Sequence, residues 1–170
     1  INLAGTTGVN TLMAFGSANA GATTTFSNVG SIATLELSNT SSTGGVTVNY
    51  TTAASAGSST QGINLTTAGS TGDTIIAGVE IFNVTANGTS TLDLVAAAGT
   101  TVSVVATDAT TLVLDNALNL ALASVTAVGS AGALTMELDF STVEMAVVGG
   151  DANDTFDLSA GAMGANDSLD

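Results

Sequence analysis

The chain has 170 residues, enough for one domain with its own core, and sets 14 acidic residues against no Lys, Arg or His. Without a cation it cannot neutralise phosphates, which excludes nucleic acid, or bind anionic lipid. Without Cys, His or Lys it can form no disulfide and assemble no Cys-, Ser-His- or Lys-based nucleophile.

A net charge of −14 repels itself in the compact state. The expected relief is divalent cations, held by carboxylates and backbone carbonyls. Hydrophobic residues make up 45% of the chain but aromatics only 4%, so the core must come from Val, Leu, Ile and Ala. No apolar run approaches the roughly 20 residues of a spanning helix, and membrane insertion is not expected. The chain opens at Ile1 without a charged leader and stops at Asp170 in mid-pattern, as expected of a segment from a longer protein.

In chain order, residues 1–30 are rich in Ala, Gly and Thr and show no clear period. Alternation of apolar and polar residues then sets in. It runs through Ala33–Leu37, Val46–Tyr50, Ile63–Thr66, Glu80–Thr85, Thr91–Leu94, Thr101–Val104, Thr111–Leu114, Ala133–Leu138 and Thr155–Leu158. Period-two runs broken by Gly, Asn, Ser and Asp predict short half-buried strands. Asp115–Ser124 is also predicted as a strand, because Leu118, Leu120 and Leu122 recur at every second place.

Hairpins favour Asn-Gly or Asp-Gly, and only Asn87-Gly88 qualifies. That scarcity favours an all-β parallel β-helix or β-roll, a solenoid, over an antiparallel β-sandwich. Val29, Val79 and Val125, spaced 50 and 46 residues apart, suggest loose repeats in a scaffold over residues 1–148.

Residues 149–170 are of another kind. Gly149, Gly150, Asp154 and Phe156 match the nonapeptide Gly-Gly-x-Gly-x-Asp-x-U-x of a calcium-bound β-roll, with Ala152 in place of the third glycine. Paired glycines are expected to take positive φ and turn their carbonyls inward beside the Asp154 carboxylate. Calcium accepts six to eight such oxygens. Phe156 should anchor the next strand in the core. Gly164–Asp170 repeats the Asn-Asp-Ser-Leu-Asp ending without the glycine pair, so the chain holds one good turn and one degenerate turn.

Together, Ile76-Ala-Gly-Val-Glu-Ile-Phe-Asn-Val-Thr85, Leu122–Thr126, Gly132–Thr135 and the turn at 149–156 resemble RTX-class bacterial surface-layer proteins, most closely over residues 70–170. The resemblance implies a right-handed parallel β-helix or roll, type I secretion and calcium-dependent self-assembly into a lattice on the bacterial cell surface. Carried over by position, it implies calcium contacts at Gly149, Gly150, Asp151, Ala152 and Asp154, with Asp167 and Asp170 as further candidates. A cell-surface polysaccharide reached through another domain is a further expected partner.

Three other readings compete. The same module occurs in adhesins and secreted toxins, and stacked coils can form extracellular filaments. A glycosidase built on Glu36, Glu80, Glu137, Asp139 or Glu144 is the weakest reading, and no enzymatic activity is expected. Seven Asn-x-Ser/Thr sequons occur, Asn153 and Asn166 within the acidic turns, and no glycosylation is assigned.

Overall fold

In the computed structural model, which describes residues 1–16, 22–39, 44–69, 72–114, 121–138, 144–158 and 163–170, the alternating runs become strands of a two-sheeted solenoid. In chain order the first eight are β1 (Thr11–Phe15), β2 (Thr24–Val29), β3 (Thr34–Ser38), β4 (Val46–Tyr50), β5 (Thr60–Thr66), β6 (Thr74–Ile76), β7 (Ile81–Asn87) and β8 (Ser90–Val95). They continue as β9 (Thr101–Ala106), β10 (Thr110–Leu114), β11 (Ser124–Thr126), β12 (Leu134–Leu138), β13 (Ala146–Val148), β14 (Thr155–Asp157) and β15 (Ser168–Leu169). Odd-numbered strands form one sheet in sequence order and even-numbered strands form the other. Each coil therefore contributes one strand to each sheet.

The strand pairings within both sheets are parallel, which sets aside the antiparallel sandwich. Register partners are as close in sequence as Ile81 and Thr101 and as far apart as Val46 and Thr74. One coil is thus about half the spacing between the marker valines. Val29 lies in β2, Val79 in the turn before β7 and Val125 in β11, so the three are not register partners. Most of the strand expected over Asp115–Ser124 falls outside the described residues.

Burial follows the alternation. Leu12, Leu35, Ile63, Val84 and Val104 stack as one inner row of the odd sheet. Leu92, Leu112 and Met136 stack in the even sheet, with half-buried Phe156 continuing that row as expected. Successive strands in a sheet lie about 4.8 Å apart, so small branched side chains fill the thin interior without large aromatics. Each coil rests on its neighbours only, and stability accrues from coil to coil.

Corners are built from repeated devices. Gly16, Asn39, Thr67 and Gly88 directly follow β1, β3, β5 and β7, and all four adopt positive φ (62°, 49°, 49° and 77°). This stack of left-handed residues bends successive coils at one edge of the odd sheet. Asn87-Gly88 therefore joins strands of opposite sheets and makes no hairpin. Tyr50 braces another corner, its hydroxyl donating to the Ala33 carbonyl and accepting from the Ala33 N–H, each at 3.3 Å.

Among the described residues, two of the buried polar side chains have atoms without a partner. Gln61 is fully buried in an inner row beside Phe82, and neither end of its amide has a partner. The Thr74 hydroxyl is equally buried and unpaired.

Candidate functional site at the acidic corners

The strand ladder cannot satisfy backbone groups where a coil bends, and an unpaired N–H there is costly. Carboxylates placed one or two residues before a strand supply the missing acceptors, and they act on the preceding coil. Glu80, just before β7, accepts from the Ser59 N–H and the Ser59 hydroxyl, both at 2.8 Å on one oxygen. Asp108, before β10, accepts from the Gly88 N–H at 3.0 Å and the Thr107 hydroxyl at 2.9 Å. Buried serines act alike. Ser90 accepts from the Ala68 N–H, and Ser130 from the Ala106 N–H, one coil earlier.

The two acidic turns follow the same rule. One oxygen of Asp154 accepts from the Leu134 N–H at 2.9 Å, one coil back. The other accepts from the Gly150 N–H at 2.5 Å within its own turn. Asp167 takes the Met145 N–H at 2.7 Å and the Gly164 N–H at 2.5 Å in the same fashion. The degenerate second turn is therefore a full structural counterpart of the first.

The paired glycines serve a purpose other than the expected one. Neither Gly149 nor Gly150 has positive φ. They are small because space is short. A Cβ on Gly149 would meet the Asp154 carboxylate at 2.7 Å, and one on Gly150 would meet Ser130 at 2.8 Å. Both lie against neighbours that form the cap, so the requirement is close approach and not a left-handed turn.

The seven expected calcium contacts are placed as follows. Gly149 donates its N–H to the Asp170 carbonyl, and the Asp151 N–H goes to the Ser130 carbonyl. The side chains of Asp151 and Asp170 are exposed, and Ala152 is half-buried. Asp154 precedes a strand of the even sheet and Asp167 a strand of the odd sheet, so the two carboxylates sit at opposite corners of a coil. An ion shared between consecutive turns needs ligands stacked at one corner. Among the described residues no three acidic side chains converge. Both oxygens of Asp154 and of Asp167 already face N–H donors. In this arrangement Asp154 and Asp167 act as backbone caps.

Glu80 shows the electrostatic effect of capping. The Ser59 backbone N–H holds its carboxyl below the ordinary 4.5; burial opposes this, and the Ser59 hydroxyl adds a further lowering. The segment Gly78-Val79-Glu80 now has a local explanation. Gly78 turns the chain at φ 76°, Val79 fills the core and Glu80 caps the coil before.

Among the described residues the other acidic side chains lie apart. Glu36 and Glu137 sit on outer faces of different sheets, and Glu144 accepts a hydrogen bond from the Asn166 amide. Asp139 lies outside the described residues. Asp108 was not foreseen as a functional position, although an acid just before an alternating run is its visible signal. The chain matches no model of a protein family, no characterised protein sequence and no solved structure.

Proposed function

We propose that this chain is a structural element of an extracellular layer on a bacterial cell, a stiff solenoid whose role is to assemble with copies of itself. One observation carries the reading. Acidic groups at the corners, the natural place for chemistry in an acid-only protein, are engaged in holding each coil to the one before it. What remains is a long, regular, strongly acidic surface, suited to contacts between copies. Calcium acts on this reading between subunits, by offsetting the −14 charge, rather than by filling a site at 149–170.

Labelling intact cells with antibody to the chain should give a continuous surface signal. Purified protein should form sheets in negative stain on adding calcium. Protein that stays inside the cell, or remains monodisperse at every calcium concentration, overturns the reading. Magnesium should promote the same assembly at a higher concentration, because offsetting charge needs no dedicated cage.

A further inference from the structure

The outer face of the odd sheet near its first strand departs from the rest of the surface. A shallow groove of about 440 Å³ crosses β1, β3, β5 and β7 there. Two register rows line it. Met13, Glu36, Asn64 and Thr85 form one, and Phe15, Ser38, Thr66 and Asn87 form the other. Phe15 is 67% exposed and Met13 55%, the only large apolar pair side by side on this face among the described residues. An exposed aromatic next to amides and hydroxyls is a ligand-binding composition, apolar surface with a few convergent polar groups.

The polar groups of the groove are idle in a way the corner groups are not. Glu80, Asp108, Asp154 and Asp167 all accept backbone hydrogen bonds. Among the described residues the side chains of Glu36, Asn64 and Asn87 form none. Their donors and acceptors face outward along strands about 4.8 Å apart, so the four strands span about 14 Å.

Charge selects the ligand. Glu36 is the single charged side chain before Asp73, and the other 13 acidic residues follow it in the sequence. The long-range pull on cations therefore centres away from the groove. With no Lys, Arg or His in the chain, phosphate, sulfate and uronate groups find no counter-charge. A neutral polyhydroxylated ligand fits each remaining feature. A ring's C–H face packs on Phe15, a carboxylate accepts from two adjacent hydroxyls, and each amide both donates and accepts.

We propose that this groove binds a neutral oligosaccharide, with room for roughly two or three linked rings across the strands. Phe15 is the stacking platform, Glu36 the acceptor for a vicinal diol, and Asn64 and Asn87 the amides that fix orientation. The site goes beyond the layer-forming role and stands independently of it, since binding is read on monomeric protein without added calcium.

The test is NMR titration and calorimetry of the intact chain with gluco-, manno-, galacto- and N-acetylglucosamine trisaccharides, and with a trimer of galacturonate. At least one neutral trimer should bind and shift the amide signals of residues 13–15, 36–38, 64–66 and 85–87. Phe15→Ala should weaken it at least tenfold, and Glu36→Gln or Asn64→Ala about fivefold or more. Ile75→Ala, on the outer face of the other sheet, should leave it unchanged. All four side chains point outward, so an unaltered circular dichroism spectrum accompanies each variant. Absence of binding by every neutral trimer, equal binding of galacturonate, or binding indifferent to Phe15→Ala each overturns the proposal.

Discussion

At the scale of the residue, the caps and the buried orphans make opposite predictions. Asp154 serves two N–H groups with two oxygens, and Asn offers only one acceptor oxygen. Asp154→Asn should lower the melting temperature, and Asp154→Ala should lower it further, by about 2–3 kcal/mol of stability for two charge-assisted bonds. Gln61 and Thr74 go the other way. Gln61→Leu and Thr74→Val remove buried polar atoms that have no partner, and each should raise stability by about 1 kcal/mol. Thermal melts of the four variants check both directions.

The Glu80 carboxyl ionises below 4.5 in the folded chain, so its contribution is whole above that value and fades as pH falls through and below it. Glu80→Gln should therefore lose stability at neutral pH yet show a shallower loss in acid, as seen in melts taken from pH 6 to pH 2. None of this is legible from composition. An aspartate before a strand reads equally as a metal ligand and as a cap, and only the position of the previous coil's N–H decides.

Elements differ in how plainly the sequence announces them, and the reasons are local. β4 and β12 could be read directly, because Val-Thr-Val-Asn-Tyr and Leu-Thr-Met-Glu-Leu put large apolar residues on one face and polar ones on the other. β1 escaped because Met13 and Phe15, its outward residues, are as apolar as inward Leu12 and Ala14. A surface that keeps apolar residues for a ligand erases the period that would reveal its strand. β2 escaped because its register shifts between Phe26 and Val29, with Asn28 at φ 57°, which breaks the alternation in mid-strand. β6 and β13 have three residues each, too few to show a period.

The stack of left-handed corners yields a prediction at this scale. Gly88 has φ 77°, and a Cβ there would meet the Thr67 hydroxyl at 2.7 Å in the coil before. Gly88→Ala should cost about 1–3 kcal/mol, from backbone strain and from the clash together. Asn39→Gly, at φ 49° in the same stack, should be tolerated in the same melts.

On the scale of the whole molecule, the missing residue types give an unusual response to pH. Between the carboxylates and the phenol of Tyr50, the lone tyrosine, no side chain titrates. Burial raises the Tyr50 phenol above its ordinary 10.0, against a smaller lowering by its bond to Ala33. The folded state thus prefers the protonated phenol. That preference is complete below pH 10.0 and is lost as pH climbs through the raised value. Stability should be nearly level from pH 6 to pH 9 and fall above pH 10. Tyr50→Phe should remove most of the alkaline fall, and tyrosinate absorbance in the folded wild type should appear late.

The solenoid itself was legible because parallel pairing leaves its own negative sign, the scarcity of hairpin dipeptides among so many short strands. The acidic turn was legible as a turn, but not the backward reach of its carboxylates to the previous coil at this joint.

That joint gives the molecule a direction in time. Each capping carboxylate reaches backward, Glu80 to Ser59, Asp108 to Gly88, Asp154 to Leu134 and Asp167 to Met145. A coil is therefore finished by a residue made roughly 20 positions later in synthesis. Where a coil is capped by an acid or a buried serine, its open N–H groups are closed only when the following coil lays down that side chain. Folding then advances like a ratchet, one tooth behind the point of emergence.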